Sequence, residues 1–485
     1  MQLVREVRDT VGGVTDAVVV GSGPNGLAAA ITLADHGVDV RVLEAKERVG
    51  GGTLTSELTV PGLLHDECAA FHPTGVGSPY FQTLGLEEFG LRWLWPEIQL
   101  AHPLDGGRTA LLWQDVGRTA TGLGADGPAW NGLFERAART FDDLAADVFR
   151  SITHVPEHPL ELARFGLRSL WPVPWVARRW QSDEARALFA GMAAHKFGSL
   201  TSPLSASVGL MLGAAAHAYG WPVAEGGTES ITRALVGRLE LTGGRIETGV
   251  RVTSYDDLGE PDILILDTAP DAVVRIMGDR LPSRTRRAYR RHRFGPAAFK
   301  VDYAIEGDIP WENPEVLKAG TVHLGGTLEE IVMNEAKVGR GEMPDLPFVL
   351  LGQQYLVDPL RSGGESGLNP VYAYAHVPHA WPGDASESVT AQIERFAPGF
   401  RDTVRHVHVR DPAGLQAHNA NYVGGDISTG ANDGLQLVMR PRVARNPYST
   451  GVPGVFICSS ATPPGAGVHG MGGRNAALSA LEERR

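Results

Sequence analysis

Cysteine is scarce in this sequence: Cys68 and Cys458 are the only two in 485 residues. They are far apart and form no Cys-X-X-Cys pair, which excludes a dithiol redox centre and a cysteine-based zinc site. Basic residues are too few for a nucleic-acid-binding protein, because 44 Lys and Arg stand against 56 Asp and Glu, a net charge of −12. We therefore expect reduced thiols, a cytoplasmic location and no nucleic-acid partner.

Long apolar runs are also missing. The most apolar stretch, residues 208–224, is interrupted by His217 and Pro222 and is too short to cross a bilayer. Residues 1–6 lack the apolar centre of a secretory signal. No His and carboxylate spacing typical of a metal site is present, so we expect no metal. With 43% hydrophobic and 21% charged residues the chain is otherwise an ordinary globular protein.

The segment from Asp16 to Glu44 predicts a strand, a helix and a second strand. Residues 17–20 are a short β-branched run, residues 27–34 have helical composition, and residues 38–43 alternate until Glu44. Between the first strand and the helix lies a G-x-G-x-x-G sequence, which with this context is typical of dinucleotide binding. The predicted phosphate-binding turn consists of Gly21, Ser22, Gly23, Pro24, Asn25 and Gly26.

Each conspicuous residue of this unit has a physical reason. Gly21 permits the tight turn, Gly23 lets a pyrophosphate approach the backbone, and Gly26 lets the helix pack closely on the strand. The N-terminus of the helix offers N–H groups and the positive end of its dipole to the phosphates. Glu44 is predicted to accept hydrogen bonds from the ribose of an adenosine.

A second glycine cluster, residues 48–53, follows directly. NAD-binding units rarely continue in this way, whereas flavoproteins of the glutathione-reductase superfamily often do. We therefore expect FAD, bound without a covalent link. The predicted contacts from this segment are Ala45, Arg48, Gly51, Gly52 and Thr53.

A second G-x-G-x-x-G match occupies residues 465–470, after a predicted strand (454–458) and before a predicted helix (474–481). No second strand or ribose-binding acid follows it, so we expect no independent nucleotide site there. The simpler interpretation is a turn that directs its helix N-terminus at the flavin end of the same FAD. The predicted contacts are Ser460, Ala461, Val468, His469, Gly470 and Met471.

These motifs, with segments 226–252, 348–354 and 473–477, resemble the phytoene dehydrogenase-like flavoproteins over most of the chain. The branch they resemble is named for a pyridine nucleotide-disulfide oxidoreductase domain and is related to carotenoid desaturases and amine oxidases. The resemblance implies an α/β fold with a Rossmann-like FAD-binding domain of the glutathione-reductase type and an interleaved α+β substrate domain. It also implies that the backbone of Val252 meets the adenine.

The resemblance also implies how the chain is divided. The FAD-binding domain would be discontinuous and the substrate domain would come from the two blocks between its parts. The implied ranges are 1–75, 211–275 and 415–485 for the FAD-binding domain, and 76–210 and 276–414 for the substrate domain.

Three residues are candidates for catalysis. Lys300 lies on an alternating strand, and in amine oxidases a lysine at a similar position holds a water at the flavin N5; the alternative is a solvated lysine. His469, in the flavin-facing turn, could act as an acid or base near neutral pH or be a loop histidine held by packing. His72 is the weakest candidate, and His217 is interpreted as a core histidine.

The predicted function is a FAD-dependent dehydrogenase, desaturase or oxidase. Its substrate would be apolar, isoprenoid or lipid-like, giving hydride to the flavin N5, with O2 or a quinone as the acceptor. The alternatives are an amine-oxidase-like enzyme, a redox-neutral flavin isomerase and a non-catalytic flavin-stabilised interaction protein. Residues 164–180 mix three Trp with several Arg, a pattern that suits either a peripheral membrane contact or a cap of the substrate domain.

Overall fold

The computed structural model describes residues 15–363 and 367–484. The expectation about residues 1–6 lies outside these ranges. The described part contains α-helices with the following bounds: Pro24–Asp35, Pro73–Val76, Val116–Gly122, Gly127–Arg139, Phe141–Val148, Pro159–Ser169, Val173–Ala177, Asp183–Ala194, Ala206–Tyr219, Glu229–Leu241, Pro270–Met277, Ser283–Arg290, Leu328–Gly339, Ser386–Glu394, Phe400–Thr403, Pro412–His418 and Met471–Glu483.

A parallel sheet carries the glycine-rich turn. Within the described residues it has five strands, in the spatial order Val455–Ile457, Ile263–Leu266, Asp16–Val20, Asp39–Leu43 and Arg245–Glu247. All neighbouring pairs are parallel. The central strand is buried on both faces, with Ala17 and Val19 in one apolar core and Val18 and Val20 in another. Helices on both faces therefore shield the backbone from water, as parallel sheets require.

A larger mixed sheet forms the second layer of the molecule. Its seven described strands have the spatial order Val404–Arg410, Ala297–Glu306, Leu368–Val377, Val349–Gly352, Ala319–Leu324, Ile98–Pro103 and Thr109–Leu112. Two further antiparallel strand pairs are short. Thr55–Ser56 pairs with His65–Asp66, and Trp93–Leu94 pairs with Val223–Ala224. The predicted α/β class with a Rossmann-like unit and an interleaved α+β part is confirmed.

Neither sheet is built from one continuous segment. The strands of the parallel sheet fall within the three ranges predicted for the FAD-binding domain, and those of the mixed sheet within the two predicted for the substrate domain. The limits of these ranges stay a prediction. Segments of the two sheets alternate along the chain. Residues that are far apart in sequence are therefore brought together in the fold.

Candidate functional site

The glycine-rich turn follows the central strand of the parallel sheet. Gly21 has φ +100°, a conformation that favours glycine. A Cβ on Gly26 would lie 2.1 Å from the carbonyl oxygen of Gly21, so a side chain there would force the helix away from the strand. The helix begins at Pro24, where the missing N–H of proline costs nothing. This geometry is the one that a close approach of phosphate to backbone needs.

Glu44 ends the second strand and is only 8% exposed. Its Oε2 accepts hydrogen bonds from the backbone N–H of Ser22, at 3.0 Å, and from the Ser22 hydroxyl. Its Oε1 accepts the backbone N–H of Lys46 at 2.9 Å. The carboxylate therefore connects the glycine-rich turn to the second strand, and it also lines a cavity.

The second glycine cluster packs directly on the first. Gly51 has φ +59°, and a Cβ there would lie 3.0 Å from Cα of Gly23. A Cβ on Gly52 would lie 2.2 Å from the hydroxyl oxygen of Tyr422. Side chains at these positions would fill the space beside the turn, so the two clusters together form a cradle with backbone walls.

The turn at residues 465–470 closes the cradle from the C-terminal side. Ala466, Gly467 and Val468 line the cavity. The helix behind this turn spans Met471–Glu483, and a Cβ on its Gly473 would lie 1.8 Å from the carbonyl oxygen of Asn25. Glycine at this position therefore allows the last helix to pack against the first, which brings the two glycine-rich turns to one cavity.

This cavity has a volume of about 590 Å³, within the range of small-molecule sites. Most residues predicted from sequence to contact FAD line it. They are Gly21, Ser22, Gly23, Pro24, Asn25, Glu44, Ala45, Arg48, Gly51, Gly52, Thr53, Val252, Ser460 and Val468. Gly26, Ala461, His469, Gly470 and Met471 lie outside its described lining. The contacts themselves stay a prediction, and the cradle fits a dinucleotide.

The same cavity continues into a space that we call the aromatic chamber. It is defined by Phe71, Phe197, Trp221, Tyr372, Tyr374 and Tyr422. Burial raises the pKa of the phenol groups of Tyr372, Tyr374 and Tyr422, and of the Cys68 thiol beside them. These groups are neutral near pH 7, so they place no formal charge on the wall of the chamber. Sequence reasoning missed it because its residues come from five separate segments.

Lys300 lies behind the chamber wall. Its ammonium is 4.5 Å from the ring centroid of Tyr372 and is paired with the carboxylate of Asp302. Only 2% of Lys300 is exposed, so the alternative of a solvated lysine is wrong. Burial lowers the pKa of Lys300, and the Asp302 carboxylate opposes this shift. Lys300 lies outside the described lining of the cavity, and its role at the flavin N5 stays a prediction.

His469 is packed into the interior. Its Nδ1 accepts the backbone N–H of Met471 at 3.1 Å, and its ring packs on Phe149 with the centroids 5.2 Å apart. Burial lowers the pKa of His469 to about 4. It is therefore neutral at pH 7, and these contacts favour the packing interpretation over acid–base chemistry.

His72 also lies outside the described lining of the cavity, although its neighbours Phe71 and Pro73 belong to it. Its Nε2 lies 3.0 Å from the hydroxyl of Thr228, and its ring packs on Trp93. Burial lowers the pKa of His72 to about 4. Its contacts connect the chamber wall to the helix Glu229–Leu241. His217 is the core histidine predicted, since Trp130 Nε1 donates to its Nε2 at 3.0 Å.

Asp267 is a cavity residue that the sequence alone did not single out. It directly follows the strand Ile263–Leu266, and its Oδ2 accepts the backbone N–H of Gly26 at 3.0 Å. A Cβ on Gly23 would lie 2.8 Å from the same oxygen. Burial, assisted by the nearby Glu44 carboxylate, raises the pKa of Asp267 to about 7. The sequence signal that could have identified Asp267 as a cavity residue is its position directly after a buried strand.

The two outer tryptophans of segment 164–180 lie at the surface. Trp171 and Trp175 are exposed and stacked with their centroids 4.0 Å apart, whereas Trp180 is buried against Trp130. No helix in residues 15–363 and 367–484 is long and apolar enough to span a membrane. Whether the exposed pair touches a membrane stays a prediction.

Residues 19–84 match the model of the NAD(P)-binding Rossmann-like domain family. The rat protein named pyridine nucleotide-disulfide oxidoreductase domain-containing protein 2 is 24% identical, over 95% of this chain and 92% of its own. Dog flavin-containing amine oxidase A is 55% identical over 51 residues, 10% of each chain. The similarity to the rat protein thus extends over nearly the whole of both chains, whereas the similarity to the amine oxidase is confined to a short segment.

Two solved structures share the architecture. An oxidoreductase from Methanosarcina mazei has a TM-score of 0.59 at 15% identity, covering 96% of this chain and 100% of its own. Putrescine oxidase bound to putrescine has a TM-score of 0.58 at 17% identity, covering 97% and 98%. The likeness establishes the fold. The closer relation to phytoene dehydrogenases stays a prediction.

Proposed function

We propose that this protein is a FAD-dependent oxidoreductase that oxidises a small apolar molecule. The observation that carries the proposal is one continuous cavity with a glycine-walled cradle at one end and the aromatic chamber at the other. A dinucleotide in the cradle would place its reactive ring toward the chamber. The names of the relatives and of the structural neighbours support the same class of reaction.

The residues that would hold FAD are those of the cradle. The turn at 21–26 would hold the pyrophosphate through backbone N–H groups. Glu44 would accept the ribose hydroxyls, and the backbone at Val252 would face the adenine, since both line the cavity. Bound FAD would supply the two-electron acceptor for hydride transfer.

The residues of the protein itself would bind and orient the substrate and exclude water from it. Phe197 and Tyr374 stack with centroids 5.9 Å apart, and Tyr372 packs edge-on against Tyr374 at 6.0 Å. Such rings exclude water and present flat apolar surfaces to a substrate. Because the phenols and the Cys68 thiol are neutral near pH 7, these groups contribute no formal charge to the chamber. An isoprenoid or lipid-like molecule would fit against the aromatic side chains of this chamber.

An amine is the second candidate substrate, favoured by the likeness to putrescine oxidase and to amine oxidase A. The chamber would take such an amine in its uncharged form. We therefore distinguish the candidates with a primary aromatic amine, benzylamine, and an isoprenoid alcohol, geraniol.

The test begins with the flavin. Purified protein should be yellow, and acid precipitation should release FAD into the supernatant; colour retained in the pellet would contradict non-covalent binding.

Under nitrogen, geraniol or benzylamine should bleach the absorption of the bound flavin, and air or a soluble quinone should restore it. A panel of apolar alcohols, amines and unsaturated lipids that leaves the absorption unchanged would favour a non-catalytic flavoprotein.

A further inference from the structure

Asp267 is a buried acidic side chain at the cradle that has no basic partner. It is 8% exposed and lines the cavity. Its Oδ2 accepts the backbone N–H of Gly26, whereas in the part of the chain that the structure describes no group donates to its Oδ1 and no cation pairs with it. Asp66, by contrast, is buried against the guanidinium of Arg361. The carboxyl group of Asp267 is therefore uncompensated by the protein itself.

The N–H group that Asp267 binds belongs to the glycine-rich turn. Gly26 is in the first turn of the helix Pro24–Asp35, where the N–H groups have no partner inside the helix. Such groups bind anions, whether a carboxylate or a phosphate. A Cβ on Gly23 would lie 2.8 Å from Oδ2 of Asp267, so the carboxyl group also packs directly against the turn. Asp267 and the phosphates of a dinucleotide would thus share one helix N-terminus.

A second acid binds the same turn. Glu44 accepts the backbone N–H of Ser22, and it also lines the cavity. Burial raises the pKa of Asp267 to about 7 and the charge of Glu44 adds to this shift, whereas the hydrogen bond from Gly26 opposes it. A pyrophosphate would bring further negative charge to the turn. Its binding therefore favours the protonated form of Asp267.

The other titratable groups around Asp267 supply no counter-ion. Burial raises the pKa of the Cys458 thiol and of the Tyr422 phenol, so both are neutral near pH 7. Arg275, on the helix Pro270–Met277, lines the cavity but is paired with Asp271. The remaining basic side chains in the described lining are Lys46, Arg48, His195, Arg251 and His418. Burial lowers the pKa of His195 to about 3 and that of His418 to about 4, so neither titrates near pH 7.

The protonated carboxyl group suits this position on both of its sides. Its carbonyl oxygen accepts the N–H of Gly26, and its O–H can donate to a phosphate oxygen. An ionised carboxylate only accepts hydrogen bonds, so it would present a lone pair and a negative charge to the phosphate. The protonated form thus stabilises a bound pyrophosphate, and the ionised form repels it.

We propose that the protein takes up one proton on Asp267 when a pyrophosphate binds in the cradle. The proton comes from solvent and returns to solvent when the ligand dissociates. Because the ligand prefers the protonated protein, its affinity is greatest below about pH 7 and falls as the pH rises above this value. The loading of the cradle with its cofactor therefore depends on pH. This inference rests on the proposed function, since it takes the cradle to be the FAD site.

The test uses the whole chain freed of FAD, with ADP-ribose as the ligand. ADP-ribose has the adenosine and the pyrophosphate of FAD, and its pyrophosphate does not titrate between pH 6 and 9. Calorimetry at pH 8 in buffers of different ionisation enthalpy should show uptake of about one proton per molecule bound. Above pH 8 the affinity should fall about tenfold per pH unit, whereas that of adenosine should change little. Equal affinities for ADP-ribose at pH 6 and pH 9 would overturn the inference, whatever the variants show.

Asp267→Asn assigns the proton to this residue. The amide keeps an oxygen for the N–H of Gly26 and an N–H for the phosphate, but it does not titrate. The variant should bind ADP-ribose equally well at pH 6 and pH 9, and at pH 9 on the order of 100-fold more tightly than the wild type. Asp271→Asn is the matched control, because it removes an acid of the adjacent helix and should keep the pH dependence of the wild type. A pH dependence in Asp267→Asn as steep as that of the wild type would overturn the role of Asp267.

FAD itself separates this inference from the proposed function. Its binding, followed by the change in flavin fluorescence, should depend on pH as the binding of ADP-ribose does. Proton uptake with ADP-ribose but no binding of FAD would contradict the proposed function and leave the role of Asp267 in place. Binding of FAD with the same affinity at pH 6 and pH 9 would overturn that role and leave the flavoprotein in place. Failure of both ligands to bind would contradict both proposals.

Discussion

Lys300 and Asp302 are buried neighbours on one face of the strand Ala297–Glu306. Burial acts to raise the pKa of Asp302, but the Lys300 ammonium, with His408 and His65, holds it well below its usual range. Each charge is therefore stabilised by its partner. Removing one partner from such a pair leaves an uncompensated buried charge, which costs more than the pair itself contributes.

We expect Lys300→Met to destabilise the protein by about 3–5 kcal/mol, because the Asp302 carboxylate loses its counter-ion. The double variant Lys300→Met/Asp302→Asn should recover most of this loss, since it leaves no buried charge. Urea unfolding of the three proteins measures the differences. A single variant as stable as the wild type would contradict the view that the Asp302 carboxylate depends on the Lys300 ammonium.

The raised pKa of Asp267 predicts that the free energy of unfolding depends on pH. Its pKa of about 7 in the folded protein is above the value of an unfolded aspartate, so folding favours the protonated form. The stabilisation is complete below about pH 4 and is lost as the pH rises through 7. The free energy of unfolding falls by at most on the order of 4 kcal/mol, because the pKa in the folded protein is about three above that in the unfolded chain.

The corresponding variant is Asp267→Asn, which keeps the shape and removes the charge. Thermal unfolding of the FAD-free protein between pH 5 and 8 should show a smaller decline for this variant than for the wild type. Asp345→Asn, at an exposed position, is the control and should follow the wild type. Parallel pH profiles for all three proteins would contradict the shifted pKa.

At the scale of elements, Arg361 joins three segments of the chain. Its Nη1 is 2.7 Å from Oδ2 of Asp66, its Nε is 3.0 Å from Oδ2 of Asp358, and its Nη2 donates to the carbonyl of Ala224. Asp66 and Asp358 also accept the backbone N–H groups of Thr228 and Gly226. The guanidinium thus fixes the start of the helix Glu229–Leu241 against the cradle.

We predict that Arg361→Met destabilises the protein by about 3–5 kcal/mol, because two buried carboxylates lose their shared cation. Arg340→Met is the control: it breaks the exposed ion pair with Glu342 and should leave the stability nearly unchanged. Chemical denaturation measures both values. A loss for Arg361→Met no larger than that of the control would show that hydrogen bonds from Thr228 and Gly226 satisfy the carboxylates.

At the scale of the whole molecule, the cavity joins segments that are distant in sequence. Its lining comes from the first strand and helix, the mixed sheet, and the turn at 465–470. A ligand that binds only when these parts are assembled stabilises the folded state by mass action. FAD should therefore act as a structural connection between the two sheets as well as a cofactor.

Adding FAD to FAD-free protein should raise the melting temperature. At 100 times the dissociation constant the stabilisation is about 2.7 kcal/mol. Glu44→Gln should reduce the shift at equal FAD concentration, because the amide is a weaker acceptor for the ribose hydroxyls than a carboxylate. Adenosine and NAD should give smaller shifts than FAD in the wild type. A shift that is the same for NAD and FAD would contradict the predicted choice of dinucleotide.

The sequence by itself determined the Rossmann-like unit, because its signals are local. The β-branched strand, the glycine-rich turn and Glu44 lie within one short segment, and the predicted strand and helix over 17–34 correspond to Asp16–Val20 and Pro24–Asp35. The last helix was also predicted, although it begins at Met471 rather than at 474. Periodicity and turn chemistry act between near neighbours, so they can be seen without a tertiary structure.

Only the tertiary structure decided which side chains share the cavity. Phe71, Trp221 and Tyr374 come from separate segments, and no local pattern connects them. The same holds for His195 and His323, whose Nε2 atoms meet across 128 residues of sequence. Burial also excludes the solvated alternative for Lys300 and lowers the pKa of His469, because a side chain's solvation depends on everything packed around it. Local chemistry specifies the elements, whereas their packing decides which groups are charged, paired and in reach of a ligand.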